Sequence, residues 1–554
     1  MDGAYDAFFK ATWNAAWQDA GYMGLAQIDM LREDYVNGID HINRSLYRNW
    51  LNHKGRQLKT SFLRKTGDYA QAEALINESL LMDKFNMGCR FESYLINILQ
   101  GKSEEAAAAK AEMKALMRGA VHSYLEYAID YASAGMYDEA AQLLSFVTED
   151  AEVTYPMVYF ALGYFASKMG KKDEAVALYK KAETICPDYC FPNKIEEVLM
   201  LNDAMKLNPE GAKAPYYLGN FHYAARIYDE AVACWEKSVS IDDTYPTVLR
   251  NLSLAYYNKL NNPQKALATL EKAYKLDESD ARILMELDQL YKKLRYSHRQ
   301  RLDFLNAHAE VVEQRDDLCI ERITLYNQLG EYQTAYDLIN SRKFHPWEGG
   351  EGKVTSQYVF CRVELAKIAL KEGRYADAVR LLKETEKYPD NLGEGKLSMA
   401  EENDIHYWMG CAYEGLGEAD LAKEYFERAT KGSAEPAIAF FYNDQQPDKI
   451  FYQGLAWRKL GDEDKARSRF NRLIKHGEKH LFDKVKIDYF AVSLPDLLIW
   501  DDDLNIRNQI HCNLVMGMGY LGLGDKEQAR KFLSEVVHLD INHQVGVRLL
   551  AMCE

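Results

Sequence analysis

The sequence predicts an all-α solenoid, a chain of repeated helical hairpins, on three observations. Small residues recur every 34 or 35 residues over long stretches, the length of two helices and their turns. Proline is scarce, at 12 of 554 residues, and no stretch alternates Val, Ile or Thr with polar residues as strands do. The length of 554 residues also exceeds what one hydrophobic core usually serves, which favours a repeat array.

Composition narrows the classes of function. The net charge of −16 argues against a nucleic-acid partner, because phosphate backbones attract basic surfaces. The nine cysteines are scattered without a CxxC pair, which is typical of reduced thiols and predicts a cytoplasmic protein. No apolar run approaches the ~18 residues of a membrane helix, and the start MDGAYDAFFK has no signal-peptide pattern.

One small residue marks each repeat. It ends a short phrase of a Gly or acidic residue, an aromatic and two further residues, as in AGMYDEA (134–140) and EGRYADA (372–378). We expect the phrase to form the turn between the two helices of a hairpin. The marking residues are Gly38, Ala72, Ala106, Ala140, Ala175, Ala231, Ala266, Gln300, Ala335, Ala378, Ala422, Ala466 and Ala529.

A finer pattern within the period resembles the tetratricopeptide (TPR) repeat. It combines an aromatic, Leu-Gly, a small residue, a second aromatic and Pro, as at Tyr159, Leu162, Gly163, Ala175, Tyr179, Ala182 and Pro187. About thirteen copies in register predict a TPR-like α-solenoid. The resemblance implies a right-handed superhelix whose concave face comes from the first helix of each hairpin and binds peptides or protein surfaces.

Changes in the spacing divide the predicted array. The step from Ala175 to Ala231 is 56 residues, which indicates a degenerate repeat with one helix. We therefore predict an N-terminal TPR array at 1–190, a bend at 191–210, a central array at 211–340 and a C-terminal array at 341–554.

The period breaks four times in the C-terminal third. The insertions are RKFHPWEGGEGKVTSQY (342–358), KYPDNLGEGKLSMAEEND (387–404), FFYNDQQPDKIFYQG (440–454) and HLFDKVKIDYFAVSLPDLLIWDDDLN (480–505). The first two share the tetrapeptide GEGK, 43 residues apart. That echo predicts two loops on the same side of neighbouring hairpins, and long loops in compact arrays are usually functional.

The insertions do not carry a recognised catalytic or ligand motif. A phosphate loop needs Gly and Ser or Thr where Trp347 and Val354 stand. His345 beside Glu351 has no second cluster to support acid–base chemistry, and His476 and His480 lack further metal ligands. Asp501, Asp502 and Asp503 fit a solvated loop or a helix start better than a cation site. We predict no catalytic residue, cofactor or metal, and the partner-binding candidates are His345, Trp347, Glu351, Lys353, Asn391, Lys396, Asp444, Tyr489 and Trp500.

Aromatic residues mark the first predicted helix. Phe9, Trp13 and Trp17 are spaced to form one stripe. Packing on the first repeat explains the stripe, and contact with another domain or chain is the alternative.

Several segments resemble the C-terminal TPR region of a bacterial protein family. They are FKATWNAAWQDAGY, NRSLYRNWLNHKGRQLK, RKFHPWEGGEGKV, YPDNLGEGKL, DKIFYQGLAWRKLG and VKIDYFAVSLPDLLIWDDDLN. In longer members the array follows an N-terminal β-sandwich domain similar to those of carbohydrate-active proteins. The sequence has no β-sandwich segment, so the resemblance implies a fragment or a split gene.

Two functions follow from these patterns. The first is a non-enzymatic scaffold that binds a peptide or partner domain, for which a β-sandwich domain is a candidate, through its concave face and loops. The alternative is an accessory part of a carbohydrate-active protein. In it Trp347, Tyr489 and Trp500 would stack on sugars while Glu351 or Asp444 bonds hydroxyl groups.

Overall fold

Helices are the regular secondary structure of the described residues. The computed structural model describes residues 1–149, 153–398, 400–437, 446–486 and 499–553. Within these ranges there are thirty α-helices and two short 3₁₀ helices, and no strand. The all-α prediction is confirmed. The chain divides into two compact units, 1–248 and 249–554, while the four-part division predicted from spacing stays a prediction.

The first unit contains fourteen helices and the start of a fifteenth. Their bounds are α1 Asp2–Ala11, α2 Gln18–Leu31, α3 Tyr35–Arg48, α4 His53–Lys65, α5 Tyr69–Met82, α6 Met87–Leu99, α7 Ser103–Met117, α8 Val121–Ser133, α9 Tyr137–Thr148, α10 Pro156–Lys168, α11 Lys172–Thr184, α12 Ile195–Leu207, α13 Lys213–Ala224, α14 Tyr228–Ile241 and α15 Pro246–Asn258.

The second unit begins within α15 and continues with the remaining helices. They are α16 Pro263–Leu276, α17 Ala281–Lys293, α18 His298–Ala307, α19 Ala309–Val312, α20 Asp316–Gln328, α21 Tyr332–Asn340, α22 Lys353–Lys371, α23 Tyr375–Lys383, α24 Asn403–Gly415, α25 Ala419–Ala429, α26 Pro447–Lys459, α27 Glu463–His480, α28 Leu504–Leu523, α29 Lys526–Leu539 and α30 Gln544–Ala551.

The marking residues lie where two helices cross. Ala175, Ala466 and Ala529 are each the fourth residue of the second helix of a hairpin, and each is fully buried. A methyl group at this position lets the first helix approach closely. The phrase before it forms the predicted turn, where Gly170, between α10 and α11, has φ +79°.

A glycine and a large side chain sixteen residues later form the second crossing contact. A Cβ atom on Gly454 would lie 2.4 Å from the ring of Phe470, and one on Gly410 would lie 2.6 Å from Phe426. The ring therefore fills the space that the glycine leaves open. This pairing recurs in Gly163/Tyr179, Gly219/Trp235 and Gly517/Leu533.

Gln300 does not occupy the crossing position that its spacing predicts. It is the third residue of α18, exposed, and accepts the backbone N–H of Ser297 in a capping box. The fourth residue is Arg301, which is buried against Asp288. The prediction was one residue early because Ser297 and Gln300 fix the start of the helix.

The degenerate repeat contributes one helix. α12 packs on α10 and α13, and α13 pairs with α14 as the next hairpin. The 56-residue step therefore reflects a single helix between two hairpins.

The predicted aromatic stripe is wrong as a helical face. α1 ends at Ala11, and Asn14 accepts the backbone N–H of Ala16 to start a 3₁₀ turn, so Trp13 and Trp17 lie beyond the helix. They are 74% and 61% exposed. Phe8 makes the packing contact instead, since its ring lies over Gly24 of α2. Among all the helices described, none combines the length and apolarity needed to cross a membrane.

Candidate functional site

The second unit contains a cavity of about 1610 Å³ along three successive first helices. Its floor is formed by α22, α24 and α26. One wall is the last helix, α30, and the other is the second insertion between Glu394 and Glu402. We call this cavity the inner groove. First helices line the concave side of such arrays, which is where the sequence places a binding face.

The two GEGK segments meet at one edge of the inner groove. The carboxylate of Glu394, in the second segment, accepts the backbone N–H of Gly352, in the first, at 3.0 Å. Gly352 precedes α22, so the carboxylate also lies at the positive end of a helix. The sequence echo therefore corresponds to a direct contact between the two insertions.

Asn391 ties the same two insertions together. Its side-chain amide donates to the carbonyl oxygens of Ile339 and Arg342, both at 2.9 Å, and its own carbonyl accepts the N–H of Phe344 at 2.7 Å. The backbone of the first insertion is thus held by the side chain and the carbonyl oxygen of Asn391 in the second.

Replacing Asn391 by alanine is expected to lower the free energy of unfolding by about 1–2 kcal/mol, because two carbonyl groups lose their partner. Hydrogen exchange should increase between residues 342 and 353. Asn202→Ala is the matched control, since Asn202 is exposed on α12 and donates only within that helix. Equal exchange in both variants would contradict the tie between the insertions.

A half-buried ion cluster lies in the floor of the inner groove. The ammonium of Lys449 is 2.5 Å from Asp404 and 3.5 Å from Asp448. Burial acts to lower the pKa of Lys449, but the two carboxylates together outweigh it and raise that pKa. Burial raises the pKa of Asp448. For Asp404, the attraction of Lys449 outweighs burial and the pKa is lowered.

Aromatic rings and a second lysine line the floor beside that cluster. The indole N–H of Trp408 donates to the hydroxyl of Tyr452 at 3.3 Å. Lys367 lies 5.3 Å from the Trp408 ring centre and 2.7 Å from Glu364. Burial acts to lower the pKa of Lys367, but Tyr452 and Glu364 together raise it to about 12. This lysine is therefore charged and already paired.

Carboxylates outnumber cations around the inner groove. Among the described residues, seven acidic and four basic side chains line it. Burial raises the pKa of Glu394, the N–H of Gly352 opposes this, and repulsion from Glu351 raises it further. A cation bound at this edge would stabilise the ionised forms of both carboxylates.

Hydrogen bonds to distant repeats hold the wall formed by α30. Arg548 donates to the carbonyl oxygen of Asn327 at 2.8 Å, and the side-chain amides of Gln544 and Gln357 are 2.9 Å apart. The final helix is therefore fastened to α20 and α22, and the inner groove has a closed side.

The predicted site residues separate into different surroundings. Glu351 lines the inner groove, and Lys353 is the first residue of α22. Lys396 is bound to Glu402 and donates to the carbonyl oxygens of Thr385 and Glu386, so it supports the loop.

The first insertion places its other two candidates away from the inner groove. His345 is exposed, with its backbone N–H bonded to Asp316 at 2.8 Å. The ring of Trp347 packs over Gly350, where a Cβ would lie 2.0 Å from it.

Trp500 does not lie on the surface where a partner candidate was expected. It is 1% exposed, and its indole N–H donates to the carbonyl oxygen of Glu286 at 3.0 Å. Asp503 accepts the N–H of Asn505 at the start of α28, as a helix start predicts. The candidates Asp444 and Tyr489 lie outside the described residues.

Sequence reasoning missed the floor of the inner groove. Asp404, Trp408, Lys449 and Tyr452 lie on first helices at positions that the repeat pattern leaves free, and that freedom was the available signal. His480 contacts Asp483 at 2.6 Å, and no metal-binding cluster occurs within the described ranges.

Comparison with known families identifies the repeat. A model described as tetratricopeptide repeat matches residues 158–189, 250–280 and 404–431, and a second with the same description matches 450–476. These matches begin in α10, α15, α24 and α26, each the first helix of a hairpin. The chain contains tetratricopeptide repeats. The TPR matches include two of the three hairpins that form the inner groove, while the link to a β-sandwich domain stays a prediction.

Three solved structures of other proteins are similar to this chain at low sequence identity. Pseudomonas aeruginosa pilF is 19% identical over 40% of this chain and 90% of that chain, with a TM-score of 0.24. The Cut9–Hcn1 hetero-tetramer of APC/C is 13% identical over 96% of each chain, with a TM-score of 0.26. YrrB, described as a TPR protein with an unusual peptide-binding site, is 14% identical over 44% and 95%, with a TM-score of 0.16.

Proposed function

We propose that this TPR protein is an interaction scaffold that binds an extended segment of a partner protein in the inner groove. The observation that carries the proposal is the cavity along α22, α24 and α26, bounded by α30 and the second insertion. Its volume of about 1610 Å³ exceeds the roughly 300–1,000 Å³ of ordinary small-molecule sites. The size favours a peptide segment as the occupant.

The lining indicates the chemistry of that segment. Lys367 and Lys449 are already paired with carboxylates, and Arg548 is occupied by backbone carbonyls. Glu351 and Glu394 leave an acidic edge beside apolar side chains such as Val359 and Leu549. A segment that carries a Lys or Arg next to apolar residues would match both features.

The carbohydrate alternative loses one of its predicted stacking residues. Trp500 is buried by its own chain, while Trp347 covers Gly350. We propose no catalytic residue, and the cytoplasmic location stays a prediction.

Selection of random twelve-residue peptides against the full chain tests the scaffold. We expect enrichment of peptides with Lys or Arg beside apolar residues, and Glu351→Lys should weaken the best binder at least tenfold in fluorescence anisotropy, because it brings like charges together. Ser356→Trp, which places a large ring at an exposed position of the lining, should also weaken it.

Glu427→Lys is the matched control for the charge change. Glu427 is exposed on α25 and does not line the inner groove. If the selected peptides bind the Glu351 and Ser356 variants as tightly as the original chain, the inner groove is not their site.

Binding of a basic peptide is expected to weaken as the pH falls below neutral. Because the pKa of Glu394 is raised, its carboxylate is protonated at a higher pH than an ordinary glutamate and the attraction is lost earlier. Anisotropy titrations from pH 7 to pH 4 measure this. Glu394→Gln should flatten the upper part of the curve, and an unchanged curve would assign the pH dependence to other groups.

A further inference from the structure

The helices α15 and α17 carry a second contact surface, apart from the inner groove, that is covered by a later part of the same chain. A non-helical stretch, Ile499–Asp503, runs across these helices although it follows them by more than 200 residues. We call this stretch the docked segment. Both helices are first helices of hairpins, so the segment occupies the kind of face on which TPR arrays bind peptides.

Asn258 holds the backbone of the docked segment at two points. Its side-chain N–H donates to the carbonyl oxygen of Ile499 at 2.8 Å, and its side-chain oxygen accepts the N–H of Asp501 at 2.8 Å. One amide therefore satisfies main-chain groups on both sides of Trp500. This recognition uses main-chain groups and is independent of which chain supplies them.

Trp500 is the anchor of the docked segment. Its ring packs edge-on against Tyr257 at 5.2 Å between ring centres, and its indole N–H donates to the carbonyl oxygen of Glu286. A buried indole with a satisfied N–H is the kind of residue that dominates binding energy at interfaces.

The charges of the docked segment are complementary to those at the ends of α15 and α17. Lys259, directly after α15, lies 3.2 Å from Asp501, and Lys293, at the end of α17, lies 2.8 Å from Asp502. Both aspartates are exposed, so the ion pairs form the polar rim around the buried tryptophan.

We propose that the face of α15 and α17 is a binding site for segments with a tryptophan followed by two acidic residues, and that Ile499–Asp503 occupies it as a ligand in cis. A partner with the same chemistry competes for the site. Because the cis segment belongs to the same chain, its binding is intramolecular and it keeps the site closed to weak competitors.

Fluorescence anisotropy with a labelled peptide IWDDDL tests this proposal. We expect Trp500→Ala in the full chain to bind the peptide at least tenfold more tightly than the original chain, because the cis ligand has lost its anchor. We call the Trp500→Ala chain the opened variant. Peptides that carry Ala in place of Trp, or Asn in place of each Asp, should bind to it at least tenfold more weakly than IWDDDL does.

A second change assigns the binding to this face. Adding Asn258→Ala to the opened variant should weaken peptide binding about tenfold, whereas Asn340→Ala, on an exposed residue that donates only within α21, should leave it unchanged. The proposal would be overturned if the original chain and the opened variant bound the peptide equally. It would also be overturned if Asn258→Ala left peptide binding by the opened variant unchanged.

A charge-reversed variant provides a second test of the proposal in case the Trp500→Ala chain does not fold. Asp501→Lys with Asp502→Lys keeps the tryptophan and repels Lys259 and Lys293, so it should also open the site. Circular dichroism melting identifies which variants are folded. If a folded Asp501/Asp502 variant shows no tighter peptide binding than the original chain, the docked segment is a fixed part of the core and the proposal is wrong.

Discussion

Replacing Arg301 by methionine is expected to lower the free energy of unfolding by about 3–5 kcal/mol. The guanidinium is 1% exposed and bonds Asp288 at 2.6 Å and Glu321 at 2.7 Å. Burial acts to lower the pKa of Arg301, but these carboxylates outweigh it and raise that pKa. Removing the arginine leaves Asp288 buried without its ion-pair partner, while Glu321 keeps Lys292 at 3.1 Å.

Urea unfolding followed by circular dichroism measures the effect. Arg299→Met is the matched control on the same helix, since Arg299 pairs with Glu331 in an exposed ion pair and its loss should leave the free energy of unfolding nearly unchanged. Adding Asp288→Asn to Arg301→Met should recover part of the loss, because it removes one uncompensated charge. A loss of less than about 1 kcal/mol for Arg301→Met would contradict the assigned role.

Replacing Phe470 by alanine is expected to cost about 3–5 kcal/mol. The ring is fully buried in α27, where Cβ atoms on Gly454 and Gly522 would lie 2.4 and 2.2 Å from it. The two glycines allow the neighbouring helices to close on the ring, so its removal leaves a cavity at two helix crossings. Because repeat arrays depend on nearest-neighbour contacts, the loss should concentrate in the adjoining hairpins.

Hydrogen exchange of α26 to α28, together with urea unfolding, measures this local loss. Phe482→Ala is the control, since Phe482 is 84% exposed and its removal should change stability by less than about 0.5 kcal/mol. Uniform exchange across both units of the Phe470 variant would contradict the nearest-neighbour explanation.

Most of the fold could be predicted from the sequence because the small residues at the helix crossings recur periodically. Ala175, Ala466 and Ala529 predicted the crossing position, which requires a small side chain whatever the partner helix is. The repeat period placed the helix crossing at Gln300, although the capping box sets the helix start so that the crossing lies one residue later. The spacing of the aromatic residues predicted that Trp13 and Trp17 lie on a helix, although Asn14 begins a 3₁₀ turn there. Both errors arose where a side-chain-to-backbone hydrogen bond overrides the spacing.

Only part of the candidate site could be predicted from the sequence. The GEGK echo indicated two neighbouring loops, and Glu394 and Gly352 do make contact. The contact between Asp404 and Lys449 was not predicted, because 45 residues separate them in the chain. Trp500 was expected on a surface because it lies in an insertion, yet the insertion places it against α15 and α17.

The sequence by itself determined the repeat, the hairpins and the positions of the insertions, since each depends on residues close together in the chain. The tertiary structure alone decided which insertions meet, which helix closes the inner groove and where Trp500 is buried. Those contacts join residues 40 to more than 200 positions apart. Their formation depends on how the hairpins of a unit stack, and a repeat period carries no information about the distance between one hairpin and another several repeats away.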